Sequence, residues 1–373
     1  MKRSLRIGCA AIAVATLSAT AACGGGSASS SKEKGGTATI EFSIASAVIG
    51  PKEEVATYAV GKEEGFLNKE RIKVETSNAD GSVAALQAVA SGSADITAAD
   101  VGAILAAREK GVPVKAIGGL VQNWPWVMAV PPGSGIKTAA DLKGKKIGVI
   151  SLASGSAMYA RAYAANAGLD EKDIELLPVG VGAQAASTLK DGKVDALALY
   201  TQAYTTIENT GTTYRYLDNP DMFQGIRSIT FAVREDTLDK RRDELVRFLR
   251  ASYQSMLFSA VSPEAAMRDG YKVFPQVLAG KSADDRIAGD TKIFETWMKS
   301  ATPSSGNPQD FADWGAISDQ EWQKTAAYTK ESGQITKDVR IEDVWDGSLL
   351  KEANDFDSAA VVARAQKAGT TTG

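Results

Sequence analysis

The chain repeats itself once, and that repeat limits the folds open to it. Residues 85–100, ALQAVASGSADITAAD, and residues 185–200, AASTLKDGKVDALALY, align without a gap. Ala85 matches Ala185, Val89 matches Leu189, Gly92 matches Gly192 and Asp95 matches Asp195. Each copy reads as an apolar helix, a glycine, an aspartate and a short apolar run. A glycine just beyond a helix takes the left-handed conformation that ends it, and the run after the aspartate has the length of a buried strand. Such a unit suits an α/β sheet, and two copies predict two similar lobes. Open α/β sheets bind ligands beyond the carboxyl ends of their strands. The residues just past the two runs, 98–100 and 198–200, therefore mark a candidate site.

Two lobes also fit the length, because 373 residues exceed the usual single domain. With 44% hydrophobic and 23% charged residues, the composition is that of a folded, soluble protein. A formal charge of -3 leaves no basic field for nucleic acid. Histidine is absent, which excludes an imidazole base and any zinc site with histidine ligands.

The two cysteines, Cys9 and Cys23, both lie near the amino end, so the folded body has no thiol, disulfide or cysteine metal site. Lys2, Arg3 and Arg6 precede an apolar run over 7–17 that is too short for a stable membrane helix. Residues 1–22 read as a secretory leader. Thr20-Ala21-Ala22-Cys23 resembles a bacterial lipobox, with Thr20 where leucine is usual. It implies that the Cys23 thiol is lipid-modified and becomes the mature amino terminus; an ordinary secreted protein cut nearby is the alternative. The expected location is outside the bacterial cell membrane, anchored by lipid to its outer face. Residues 23–36, rich in Gly and Ser, read as a flexible tether.

From there the pattern predicts strands over 37–45 and 71–76, then the first repeat unit. Asp100 directly precedes a helical run over 101–110, so it is an N-cap, a ligand contact or both. A strand over 114–121 ends at Gln122-Asn123-Trp124-Pro125, and an apolar run over 126–130 follows. Beyond the hinge-like 131–135, a strand over 147–150 leads through the loop SLASGS into an alanine-rich helix. Free N–H groups at a helix start favour a polar acceptor, although a serine turn there also serves as a plain cap. A strand over 175–179 precedes the second unit. Strands follow over 214–217 and 226–233, and helices over 242–258, 263–271, 283–300 and 320–332. Trp297, Trp314, Trp322 and Trp345 read as packing residues.

No motif asks for bond-making chemistry. There is no G-x-S-x-G elbow, dinucleotide fingerprint or Walker A loop, and Ser187 to Lys190 matches S-x-x-K without its partner motifs. The carboxylates form no metal or paired acid and base spacing. A non-catalytic protein with no metal and no cofactor is expected. For recognition there are Trp124 and Trp126 around Pro125, and Tyr200 and Tyr204 at the end of the second unit. If 124–126 is extended chain, only one of the two tryptophans faces the cleft, and Trp124 is favoured.

Several further segments carry a family resemblance. They are Gly65-Phe66-Leu67, Gly92-Ser93-Ala94-Asp95-Ile96, the stretch GIKTAADLKGK over 135–145, Gly192-Lys193-Val194-Asp195-Ala196, Val344-Trp345-Asp346 and Glu352-Ala353-Asn354. In this order they resemble the substrate-binding proteins of ABC importers, in the branch that handles alkanesulfonates, nitrate and thiamine-precursor pyrimidines. The resemblance implies an α/β, two-lobed type II periplasmic-binding-protein fold with two inter-lobe strand crossings, near 126–130 and 228–233. Lobe one would comprise 37–127 and 229–373, and lobe two 128–228.

It also implies a monomer that captures a small-molecule solute and delivers it to an ABC permease in the membrane. Family ligand contacts carry over by position to Ser46, Asp100, Tyr200 and the loop Ser154, Gly155, Ser156, with Gln122 and Gln202 as amide partners; Trp124 or Tyr200 would offer the stacking face. No arginine or lysine stands out in this predicted pocket and Asp100 would repel an anion, which favours a neutral or aromatic heterocycle. A lipid-anchored ligand sensor or accessory binding protein is the alternative function. An enzyme of the thiamine-pyrimidine synthase type ranks third, because it would need a histidine.

Overall fold

The computed structural model describes residues 36–371 apart from Ala47, Ala153 and Ser304. The leader, the lipobox cysteine Cys23 and the tether to residue 35 lie outside the described residues.

Among the described residues, ten strands form two five-stranded sheets of the same topology. The first sheet runs β2 (Ile72–Asn78), β1 (Ala38–Ile44), β3 (Ile96–Asp100), β10 (Ile229–Arg234), β4 (Val114–Gly119). The second runs β7 (Ile174–Pro178), β6 (Lys145–Val149), β8 (Ala196–Tyr200), β5 (Trp126–Val130), β9 (Arg215–Leu217). In each, the first three strands are parallel and the fourth is antiparallel to both its neighbours. The two lobes and α/β layering expected from the repeat are present.

The repeat has a bonding reason. Gly92 ends the helix Gly81–Ser91 at φ 79°, and Gly192 follows the helix Ala183–Lys190 at φ 65°, conformations that a side chain would strain. The aspartate three residues later then clamps the neighbouring strand twice. Asp95 donates its N–H to the Glu41 carbonyl and accepts the Glu41 N–H on its carboxylate, both at 2.8 Å. Asp195 makes the same pair with Lys146, again at 2.8 Å. Each aspartate thus fixes the start of a parallel ladder, β1 to β3 and β6 to β8.

The chain passes between the sheets through residues 120–125 and 218–228, just before β5 and β10. Each of these two strands lies wholly in one sheet, so the passages fall slightly earlier than the resemblance implied. Pro125 and Trp124 are part of the first passage, outside any strand.

Four buried clusters cover both faces of the sheets. Trp297, Trp314 and Trp322 are core residues, as expected, and Trp345 packs at the edge of two clusters. Tyr328 is different. It lies on the helix Asp319–Glu331, yet its ring belongs to the cluster built on β6 and the helix Gly155–Ala165 of the second sheet. No helix among the described residues is long and apolar enough to cross a membrane.

Candidate functional site

The carboxyl ends of β3 and β8 meet the two passages at the centre of the molecule. Asp100, the last residue of β3, caps the helix Val101–Glu109: its backbone is extended, and Oδ1 accepts the Gly102 N–H at 2.9 Å. The Ser228 hydroxyl stands 3.4 Å from Oδ2. Burial raises the Asp100 carboxyl to about 6, although the hydrogen bonds from Gly102 and Ser228 pull the other way.

The passages are tied to each other by Arg227. Its Nη1 donates to the Gln122 carbonyl at 2.8 Å, and its Nη2 pairs with Glu321 on the helix Asp319–Glu331. Glu321 completes a capping box with Ser318, so the helix terminus that sequence can signal is also what holds the arginine. The first passage is further bound to the end of the helix Ala283–Ala301. Gln122 and Asn123 donate N–H groups to the Ser300 carbonyl at 2.8 and 2.9 Å, and Asn123 Nδ2 reaches the carbonyls of Lys299 and Thr302. These bonds satisfy carbonyls that a helix end leaves without partners.

A chain of aromatic rings lines the second-lobe side. Trp124 stacks on Phe223 with centroids 5.6 Å apart and meets Tyr328 edge-on at 5.0 Å. Trp126 stacks over Tyr159 and meets Tyr200 edge-on at 5.7 Å. Trp126 and Tyr200 are a registered pair on β5 and β8, so their side chains stand on one face. Both tryptophans line the same cavity. The expectation that only one faces the cleft is thereby corrected: the alternation rule applies to extended strand, and Trp124 precedes the strand.

Tyr200 looks across to the first lobe, where Lys52, Glu53 and Glu54 form a compact ionic group within electrostatic reach of its phenol. Lys52 Nζ lies 2.7 Å from Glu53 and 2.8 Å from Glu54, and Glu54 also accepts the Gly50 N–H at 2.9 Å. Burial pulls the lysine pKa down, but its two carboxylates more than offset this and hold it above the ordinary range. Burial pushes Glu54 up, opposed by Lys52. Removing one partner of a buried pair strands the other charge. Lys52→Met is therefore expected to cost about 3 kcal/mol at pH 8, with a smaller loss at pH 5, because burial pushes the Glu54 carboxyl toward its neutral form. Urea unfolding at the two pH values checks this, and a loss under about 1 kcal/mol at both would show that the pair contributes little.

The cavity at the junction has a volume of about 20 Å³. It is lined by Asp100, Gly102, Trp124, Trp126, Gly155, Arg227, Thr325, Tyr328, Thr329 and Gln334. Of the residues expected from sequence, it brings together Asp100, Trp124 and Gly155. A Cβ on Gly155 would sit 3.1 Å from the Trp126 ring, so glycine lets the indole lie over the start of its helix.

The serines flanking Gly155 are used internally. Ser156 is fully buried, donates to the Ala198 carbonyl at 2.7 Å and accepts the Ile150 N–H at 2.9 Å. Ser154 donates to the Ser151 carbonyl at 2.7 Å, closing the loop. Ser46 donates to the Val48 carbonyl at 2.6 Å. Gln122 meets Arg227 through its carbonyl, and Gln202 is buried, accepting a 3.3 Å bond from the Thr201 hydroxyl. The sequence reading missed Arg227, Thr325, Tyr328, Thr329 and Gln334, and its view that no arginine stands in the pocket is corrected by Arg227. Among the described residues no cluster of three or more acidic, cysteine or histidine side chains could hold a metal ion.

Residues 52–266, more than half of the chain, match the family model described as NMT1/THI5 like. The chain belongs to this family. Among curated proteins it is similar to the riboflavin-binding protein RibY of Chloroflexus aurantiacus, 23% identical over 249 residues that cover 66% of this chain and 68% of RibY. Its fold is similar to that of the alkanesulfonate-binding protein SsuA of Xanthomonas axonopodis pv. citri bound to MOPS, with a TM-score of 0.57, 19% identity and coverage of 84% of this chain and 100% of the other. The desulfurization enzyme DszB also shares it, with a TM-score of 0.54, 15% identity and coverage of 84% and 98%. The NMT1/THI5-like chain thus has the two-lobed periplasmic-binding-protein fold, on which both binding proteins and an enzyme are built.

Proposed function

We propose that this NMT1/THI5-like protein is the substrate-binding lipoprotein of an ABC importer, carrying a small, uncharged planar solute between its lobes. Cys23 bears the lipid, and residues 23–36 tether the clamp to the outer face of the membrane. The observation that carries this reading is the cavity wall: Trp124 of the first passage and Trp126 of the second sheet line the same cavity as Asp100 of the first sheet. A ligand touching both lobes favours the state in which they meet. The existing space holds about one water, so a solute enters only when the lobes separate.

The charge balance supports an uncharged solute. The cavity lining carries one cation, Arg227, and it is already paired with Glu321, while Asp100 beside it opposes an anion. The likeness to RibY supports a flat heterocycle of the same kind. The likeness to SsuA supports a sulfonate, which the lining favours less.

A thermal-shift screen of riboflavin, pyrimidines, alkanesulfonates and nitrate tests the reading, because a ligand bound to the native state raises the unfolding temperature. The expected result is stabilisation by a planar heterocycle, weakened at least tenfold in Tyr200→Ala, which removes the ring that meets Trp126. Stabilisation by none of these classes would overturn it, and turnover of a bound compound, followed by mass spectrometry, would replace binding with catalysis.

A further inference from the structure

Two buried donors in this wall have no acceptor among the described residues: the Trp124 indole Nε1 and the Arg227 Nε. The Arg227 side chain is only 10% exposed, and its Nη atoms are committed to Gln122 and Glu321. Both residues line the cavity that Asp100 also lines. Asp100 is held by the Gly102 N–H at Oδ1 and by a backbone hydrogen bond from Ala103, whereas the side-chain donor at Oδ2, the Ser228 hydroxyl, is a long 3.4 Å away. A buried donor left unpaired is costly, and such groups in native proteins have a reason. Here two donors and an under-used acceptor share one wall beside stacked rings.

We propose that the solute presents a lactam or cyclic-imide edge to this wall: its carbonyl oxygen accepts from Trp124 Nε1 and Arg227 Nε, and its adjoining ring N–H donates to Asp100 Oδ2. This rests on the cleft being the solute site. It is a statement about hydrogen-bond order, and it separates candidates of similar shape. A flat ring with a carbonyl beside an N–H satisfies all three groups. A ring of the same size in which every N–H beside a carbonyl is alkylated leaves Asp100 without a donor. A sulfonate offers acceptors only, and sets its charge against the carboxylate.

The test is calorimetric titration of the mature protein with two matched pairs, uracil against 1,3-dimethyluracil and riboflavin against 3-methylriboflavin, and with taurine. The expected result is binding of at least one parent imide, a loss of tenfold or more on N-methylation, and no binding of taurine. Trp124→Phe keeps a stacking ring without the N–H and is expected to weaken the imide about tenfold. Equal affinity for an imide and its methylated partner, undiminished imide binding by Trp124→Phe, or binding of taurine alone would overturn the proposed edge while leaving the cleft as a solute site. Binding of none of the five compounds would overturn the edge; the broader thermal-shift screen then decides whether the cleft binds any solute. If Trp124→Phe fails to fold by circular dichroism, the methylated pairs on the parent protein still decide.

Discussion

Trp124→Ala is expected to destabilise the protein by about 3–5 kcal/mol, the usual range for removing a large ring from a packed site. The ring touches Phe223, Tyr159 and Tyr328, which come from three separate segments of the chain. No neighbour can collapse into its volume without breaking another aromatic contact. Trp124→Phe retains a ring against Phe223 and Tyr328 and should cost distinctly less. Urea unfolding of the two variants beside the parent measures the difference. If alanine and phenylalanine proved equally mild, the ring would be a bystander to a core held elsewhere.

Asp100→Asn should act in the opposite direction. Asparagine caps a helix as well as aspartate does, so the bond to Gly102 survives and only the charge is removed. Burial raises the folded-state carboxyl from 3.8 to about 6. A carboxyl raised on folding adds stability below its unfolded pKa and loses it as the pH climbs through the folded value. The parent protein therefore gives up about 3 kcal/mol from this group between pH 4 and pH 7, an upper figure. The asparagine variant should be about 1–3 kcal/mol more stable than the parent at pH 8 and indistinguishable near pH 4. Asp269 is also raised to about 6 by burial and Glu54 is pushed up as well, so the parent's own pH profile mixes several groups. The difference between variant and parent isolates Asp100, and a gain of the same size at pH 4 and pH 8 would place the effect outside its ionisation.

The repeat was legible because it is local. Helix, glycine, aspartate and strand follow within sixteen residues, and the aspartate clamps do the same work in both lobes. The cap at Asp100 was legible for the same reason. The serine loop misled because composition reports which groups are polar, not where their partners lie: Ser156 turns inward to Ala198, across a strand the loop does not touch in sequence. Arg227, Tyr328 and Gln334 could not be placed at all. They come from the second passage, a late helix and the turn after it, and only the packed fold carries them to Trp124. The Ser318 and Glu321 capping box announced that helix, while nothing in it announced the arginine that Glu321 would hold.

Tyr328 gives the late helix a further meaning. The second sheet and its helices are complete in sequence by Ile226, yet their hydrophobic cluster closes only when Tyr328 arrives from beyond all ten strands. The second lobe therefore draws one of its aromatic packing partners from outside its own stretch of sequence, although its topology copies the first. A truncation that removes the helix Asp319–Glu331 would thus open the core of the second lobe, although every strand of that lobe remained.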